Sequence, residues 1–233
     1  MEKDIVYHAL KDAMEEDCCP ICRLTEESLR STMRSILYES MTDMDIRTAI
    51  MKERGFCHHH SQVFLEEGDS LAHALVYSDA LRGALQDVVN DEYDPYEKRR
   101  DCYFCSHVRE SEEIYTRVFY EAYHEEEFAQ QYKKSGLLCM HHLHGVRQHT
   151  LKNHEPDEFF VSIAQPTVDK YQVMIKELDE IQRKNDYRYT GEKWTDGERT
   201  AWRRAVAVVS DVVALPRDPK PPVKKGLFGR KKK

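Results

Sequence analysis

The chain has 233 residues, of which 40% are hydrophobic and 33% are charged, and its formal net charge is -7. This size and composition suit a globular protein with one sizeable core or two small ones, and they exclude a membrane-spanning helix because no apolar run approaches bilayer length. Residues 217–233 hold eight basic side chains and one acid, or +7, so the remainder carries -14, and such an acidic body disfavours general nucleic-acid binding.

The start of the chain and its cysteine content indicate a location. The residues Met1-Glu2-Lys3-Asp4 lack the basic and then apolar layout of a secretory signal, which predicts a cytoplasmic protein. In that reducing compartment, the seven cysteines are expected to be metal ligands rather than disulfide partners. The sequence contains no Ser-His-Asp signature, phosphate loop or dinucleotide fingerprint, so we predict no catalytic residue and the sequence disfavours an enzyme.

The first half of the chain is predicted to be helical throughout. Apolar residues recur at helical spacing over 24–38, and Thr42 can cap a second helix over 43–53. A third helix is expected to begin at Cys57, and Ser70 can cap a long helix that ends near residue 89. The apolar face of this long helix is predicted to hold Leu71, Leu75, Ser78, Leu81, Leu85 and Val88.

The second half repeats this order after a break at Asp94-Pro95. Each half reads as a helix, a short helix, a helix that carries metal ligands, and a long helix. No stretch alternates convincingly between apolar and polar residues, so no strand is predicted. The first three helices of the second half are expected after Cys105, over residues 125–134 and from near Cys139.

Two further helices complete the prediction. Pro156 suits the first turn of a long helix, and Thr195-x-x-Glu198 is a capping box that opens a final helix. The sequence therefore predicts an all-α fold. The apolar face of the long helix is predicted to hold Phe160, Ile163, Val168, Tyr171, Ile175, Leu178 and Ile181.

One metal-ligand pattern occurs twice along the chain, as a Cys-x-x-Cys followed by a Cys-x-x-His. Three thiolates and one imidazole form the closed tetrahedral set that zinc takes in structural sites. The repetition predicts a duplicated fold with two zinc ions per chain, one held within each copy. The first site is predicted to consist of Cys19, Cys22, Cys57 and His60, and the second of Cys102, Cys105, Cys139 and His142.

The spacing leaves open which histidine closes each site. His59 and His60 follow the first Cys-x-x-His cysteine, and His141 and His142 follow the second. We choose His60 and His142, because residues three apart share a helix face. The remaining cysteine, Cys18, is predicted to be a spare thiol. Iron is a second candidate for the ion, although iron–sulfur clusters usually take four thiolates.

The chain is predicted to have four parts. Residues 1–93 form the first zinc-binding repeat, residues 94–190 the second, and residues 191–215 a helix that packs on the core. Residues 216–233 are rich in proline and lysine, cannot bury a core, and are predicted to be disordered. The basic segment Lys224–Lys233 could contact an anionic membrane or a nucleic acid.

These motifs resemble a prokaryotic family catalogued as a domain of unknown function. The resemblance covers about residues 1–213, although Tyr103 stands where the first Cys-x-x-Cys has proline. It implies an all-α fold with Cys/His clusters and supplies no activity or partner. The residues that carry it are Cys19-Pro-Ile-Cys22-Arg23, Gly55-Phe-Cys57-x-x-His60, Gly136-Leu-Leu-Cys139-x-x-His142, and Asp186-Tyr-Arg188 through Ala201-Trp202.

The leading functional hypothesis is a non-enzymatic interaction scaffold that binds a protein partner. Two alternatives remain beside it. The first is a thiol-based redox sensor or an iron–sulfur or metal-dependent enzyme, and the second is a nucleic-acid-binding accessory protein. The aromatic residues predicted to be exposed for a partner are Tyr115, Tyr123, Trp194 and Trp202.

Overall fold

All regular structure in the described part of the chain is helical. The computed structural model describes residues 5–40, 43–53, 55–68, 70–92, 102–189 and 191–210. In the first half these residues form α1 (Ile5–Ala13), α2 (Pro20–Ser35), α3 (Met44–Lys52), α4 (His58–Glu67) and α5 (Ser70–Val89). In the second half they form α6 (Tyr103–Ala122), α7 (Glu126–Ser135), α8 (Met140–Lys152), α9 (Asp157–Lys184) and α10 (Asp196–Ser210).

The two halves have the same order of helices, so the predicted all-α fold and its duplication are confirmed. The series α2 to α5 and the series α6 to α9 each contain a Cys-x-x-Cys helix, a short helix, a Cys-x-x-His helix and a longer helix. A π-helical turn, Ile36–Ser40, extends α2. The predicted cap Thr42, the break at Asp94-Pro95 and the tail lie outside the described residues, and the predicted limits of the four parts stay predictions.

The described residues form two hydrophobic cores, and each core draws on both halves of the chain. The first core contains Ile21 from the start of α2 and Phe119 from the end of α6. The second core contains Met33 from the end of α2 and Phe104 from the start of α6. Because α2 and α6 pack against each other and enter the two cores in opposite order, they run antiparallel. As a result, the beginning of α2 packs with residues of the second half, and the beginning of α6 packs with residues of the first half.

The apolar face predicted for α5 is largely exposed, which corrects the sequence analysis. Ala72 and Val76 face the core instead. Because α5 has apolar residues on two opposite sides, hydrophobic periodicity alone could not tell which side meets the core. Of the six residues assigned to the face, the more than half-exposed ones are Leu71, Leu81, Leu85 and Val88.

The face predicted for α9 was right only in part. Ile163 is fully buried, but Ile175 is 56% exposed, and Thr167 and Met174 are buried in its place. Several helices, namely α7, α8 and α10, contact α9 along its 28 residues, so its buried side follows these neighbours rather than one straight stripe. No helix in the described part of the chain is long and apolar enough to cross a membrane.

The predicted capping box fastens α10 to the end of α9. The Glu198 backbone N–H donates to Thr195 Oγ1 at 3.2 Å, and the Thr195 N–H donates to Glu198 Oε2 at 3.0 Å. Lys184, in the last turn of α9, donates to Glu198 Oε1 at 2.7 Å. The side chains of Lys184 and Glu198 are both buried. Their ion pair offsets the free-energy cost of removing the two charges from water.

We expect Thr195→Ala to lower the free energy of unfolding by about 1 kcal/mol, because the Glu198 N–H loses its acceptor. Urea unfolding followed by circular dichroism measures the change. The control is Thr200→Ala, which removes an exposed hydroxyl that bonds only backward along α10 and should change stability little. An equal loss in both variants would contradict the role of the cap.

Candidate metal centre

Each Cys-x-x-Cys and each Cys-x-x-His lies at the beginning of a helix. Cys19, Cys57, Cys102 and Cys139 are the N-caps of α2, α4, α6 and α8, all with extended backbone angles. The second donor of each half follows three residues later, in the first helical turn. Backbone N–H groups and the positive end of the helix dipole favour negative charge at this place. The local fold therefore presents every pair of donors where thiolates are stabilised.

Two groups of four donors form where these helix ends meet. In the first group, which we call the buried cluster, the sulfurs of Cys22 and Cys139 are 3.5 Å apart. His142 Nδ1 lies 3.6, 3.2 and 3.1 Å from the sulfurs of Cys19, Cys22 and Cys139, respectively. All four residues are buried.

The second group, which we call the half-exposed cluster, has the same donor set. His60 Nδ1 lies 3.2, 3.1 and 3.5 Å from the sulfurs of Cys57, Cys102 and Cys105. The Cys105 sulfur is 3.6 Å from that of Cys102 and 3.8 Å from that of Cys57. Cys57 and Cys105 are only partly buried, whereas Cys102 and His60 are buried.

These distances fit one ion at the centre of each cluster. A tetrahedral zinc has Zn–S bonds of about 2.3 Å and Zn–N bonds of about 2.0 Å, so its donors lie roughly 3.5–3.8 Å from one another. The edges of both clusters fall at or slightly below this range. Two clusters of three sulfurs and one nitrogen are therefore compatible with metal binding.

The predicted grouping of the donors was wrong. Each site was predicted to lie within one copy of the pattern, but the structure joins each Cys-x-x-Cys to the Cys-x-x-His of the other copy. The cause is the antiparallel crossing of α2 and α6, which brings the start of α2 to α8 and the start of α6 to α4. Either half alone would hold only two donors of each cluster.

The structure brings His60 and His142, rather than their neighbours, to the sulfurs. Both rings are buried, whereas His59 and His141 are exposed. Cys18 belongs to neither cluster, and burial followed by the nearby charges of Glu16 and Cys19 raises the pKa of its thiol to about 12.

The two imidazoles have opposite shifts in pKa. Burial, and then the neighbouring His59, lowers the pKa of His60 to about 4, which keeps the neutral form that binds metals. Burial also lowers the pKa of His142, but hydrogen bonds to Cys139 and Cys19 and the nearby Glu112 carboxylate outweigh it and raise the pKa to about 12. The His142 ring therefore holds a proton that a bound cation would displace.

Glu112 on α6 distinguishes the buried cluster from the half-exposed one. Its Oε1 atom lies 3.6 Å from Nε2 of His142, the ring nitrogen that faces away from the sulfurs. A carboxylate at this place orients a ligating histidine and raises its basicity. The Nε2 atom of His60 has no carboxylate beside it among the described residues, although neither Nε2 atom has a partner there within hydrogen-bond distance. Glu112 was not among the predicted site residues, because no motif spacing marks it.

A buried polar contact holds the turn that precedes Cys139. The Leu138 N–H donates to Thr167 Oγ1 at 3.1 Å, and Tyr171 donates its hydroxyl proton to the Leu138 carbonyl at 2.9 Å. Both partners lie on α9, so the long helix fixes the start of α8 and with it two donors of the buried cluster. Thr167 reads as an ordinary helix residue in the sequence.

Comparison with known proteins assigns the chain to a family. A family model described as "Family of unknown function (DUF6062)" matches residues 1–97 and 84–214. The chain belongs to this family. The two matched segments correspond closely to the two halves that share the donor pattern, which agrees with the duplication seen in the helices.

A relative with an uncharacterised role covers most of the chain. An "Uncharacterized 23.9 kDa protein in xynA 3'region" of Caldicellulosiruptor sp. (strain Rt8B.4) is 32% identical over 201 residues, which are 84% of this chain and 96% of the relative. No solved structure matches the chain significantly. Family membership therefore supports the fold and its duplication but names no activity.

We expect Glu112→Gln to weaken zinc binding at the buried cluster by about 10–100-fold, because His142 loses its carboxylate partner. Titration of the metal-loaded protein with a competing chelator measures the affinities of both sites. The control is Glu113→Gln, since Glu113 lies 3.6 Å from His149, which is not a donor of either cluster. Equal zinc affinity in both variants would show that Glu112 does not support the site.

Proposed function

We propose that this protein binds two zinc ions and that the ions join its two halves into one interaction scaffold. The observation that carries this proposal is the convergence of three sulfurs and one imidazole nitrogen in each cluster, with donors from both halves. An ion in either cluster would bond two helices that are distant in sequence. Structural zinc of this kind contributes on the order of 10 kcal/mol to folding.

The donor set favours zinc over iron. Thiolates with one imidazole in a tetrahedral arrangement are typical of structural zinc. An iron–sulfur cluster usually requires four thiolates, and each group of donors supplies three. The proposed cytoplasmic location is consistent with this chemistry, since thiolates must stay reduced to bind the ion.

The geometry supports a structural role for the ions rather than a catalytic one. A hydrolytic zinc keeps one coordination position for water, whereas four protein donors surround the centre of each cluster. The buried cluster also lies out of reach of solvent. A shallow depression in the surface is lined by Arg47, Ile50, Met51, Val76 and Asp79, none of which is a donor.

Exposed apolar side chains support a protein partner. Trp202 is 50% exposed and Val209 is 68% exposed on α10, where a partner could cover them. Tyr123, by contrast, is buried and donates its hydroxyl proton to the Ser162 carbonyl, so its predicted exposure was wrong. Contact of Lys224–Lys233 with an anionic membrane or nucleic acid remains a lesser proposal.

The proposal predicts that the purified protein carries two zinc ions and that strong chelation removes both and abolishes most of its helical structure. Native mass spectrometry with elemental analysis measures the zinc content, and circular dichroism measures the helix content. Restored helix after addition of zinc, but not of magnesium, is the expected control. A metal-free protein with full helix content, or one with an iron–sulfur chromophore, would contradict the proposal.

A thiol-based sensor is the second candidate, favoured by the partial exposure of Cys57 and Cys105. Their sulfurs are 3.8 Å apart, so a peroxide could take two electrons from the two thiolates. The products would be a disulfide, water formed with two protons, and a released zinc ion.

Mild hydrogen peroxide separates the two candidates. A sensor would lose one zinc from the half-exposed cluster, reversibly with a thiol reductant, and would keep much of its helix. A scaffold should keep both ions under the same treatment. A Cys18→Ser variant is the matched control, because Cys18 is partly exposed but is not a donor.

A further inference from the structure

The helix α5 carries a second apolar face opposite the one that packs on the core. Ala72 and Val76 are 5% and 3% exposed and meet the core. On the opposite side, small or apolar residues recur at alternating spacings of three and four residues. That period is typical of the contact positions of a coiled coil. These residues, which we call the outer seam, are Leu71, Ala74, Ser78, Leu81, Leu85 and Val88.

The outer seam is open to solvent in the described part of the chain. Leu71, Leu81, Leu85 and Val88 are 67%, 69%, 59% and 60% exposed, respectively. The seam contains no charged side chain over its whole length. A contiguous exposed apolar surface of this kind marks an interaction site. Its contact with water is unfavourable unless another surface covers it.

In the other half of the molecule, a further helix packs along the equivalent helix. In the duplicated order of helices, α9 corresponds to α5, and α10 packs along α9. Among the described residues, no helix of the first half follows α5 in the place of α10. The first half therefore lacks the helical neighbour that the second half supplies within the chain.

We propose that the outer seam binds the outer seam of a second copy of this chain in an antiparallel, two-fold symmetric dimer. In one register the seam is complementary to itself. Leu71 then faces Val88 of the second copy, Ala74 faces Leu85, and Ser78 faces Leu81. Each of the two central leucines meets a small residue, which allows the helices to approach closely.

The packing of the seam favours the antiparallel direction over a parallel one. A parallel dimer would place Ala74 beside Ala74 and Ser78 beside Ser78 of the second copy, which leaves gaps in the seam. In the antiparallel register each of these small residues lies opposite a leucine instead.

The oligomeric state of the full, zinc-loaded protein tests the proposal. We expect multi-angle light scattering at micromolar concentration to give twice the chain mass of 27.5 kDa, and Leu81→Glu/Leu85→Glu to give the mass of a single chain. The control is Val173→Glu/Ile175→Glu, which adds the same charges to side chains of α9 that are 53% and 56% exposed and should remain dimeric. Zinc content is measured in each variant, so that a failure of the metal sites is recognised separately.

A wild-type protein that is monomeric at these concentrations would overturn the proposal, whether another segment of the chain or a different protein covers the seam. The same holds for a dimer that survives the α5 variant or is lost in the α9 control.

A photo-crosslinking residue at position 85 tests the direction of the helices. In the crosslinked dimer, we expect the tryptic peptide 83–98 to be joined to peptide 55–82, which contains Ala74. A link between two copies of peptide 83–98 would contradict the antiparallel register.

Discussion

The antiparallel contact between α2 and α6 determines how the rest of the molecule is arranged. Each helix begins with a Cys-x-x-Cys in one core and ends in the other core. The two sulfurs at its beginning therefore lie beside the Cys-x-x-His of the other half. Three thiolates and a divalent cation leave a net charge of about -1 on each cluster. The two helix N-termini that meet there supply partial positive charge to offset it. Core packing thus determines the exchange, and the donor chemistry is compatible with it.

Much of the fold follows from local patterns that the sequence displays directly. Helical periodicity and the capping box at Thr195 and Glu198 predict α-helices, and the repeated spacing of cysteine and histidine identifies the eight donors that the structure brings together. The i, i+3 relation also selects His60 and His142 over their neighbours, because a residue at that spacing shares the N-terminal turn with its cysteine.

The grouping of the donors could not be predicted in the same way. Both possible groupings give two sets of three cysteines and one histidine, so ligand chemistry does not choose between them. The choice depends on the direction in which α2 and α6 cross, which is a property of tertiary packing. The buried side of α5 was missed for a related reason, since both of its sides are apolar. Glu112 and Thr167 act through contacts between helices and have no spacing signal.

The two clusters have equal donors but different surroundings. His142 has Glu112 beside its outer nitrogen and lies among buried thiols. His60 has no such carboxylate among the described residues, and two of its cysteines are partly exposed. This difference makes the buried cluster the better candidate for a permanent ion. The ions would hold the two halves in fixed positions, and α5 and α10 then present their apolar faces from a rigid body.

Zinc counting in two double variants tests the exchanged coordination most directly. Cys19→Ser/Cys139→Ser removes two donors from one cluster in the structure, whereas Cys19→Ser/Cys57→Ser removes one donor from each. Native mass spectrometry should therefore find one zinc ion in the first variant and none in the second. One ion in the Cys19→Ser/Cys57→Ser variant and none in the Cys19→Ser/Cys139→Ser variant would instead place each site within a single half and contradict the account.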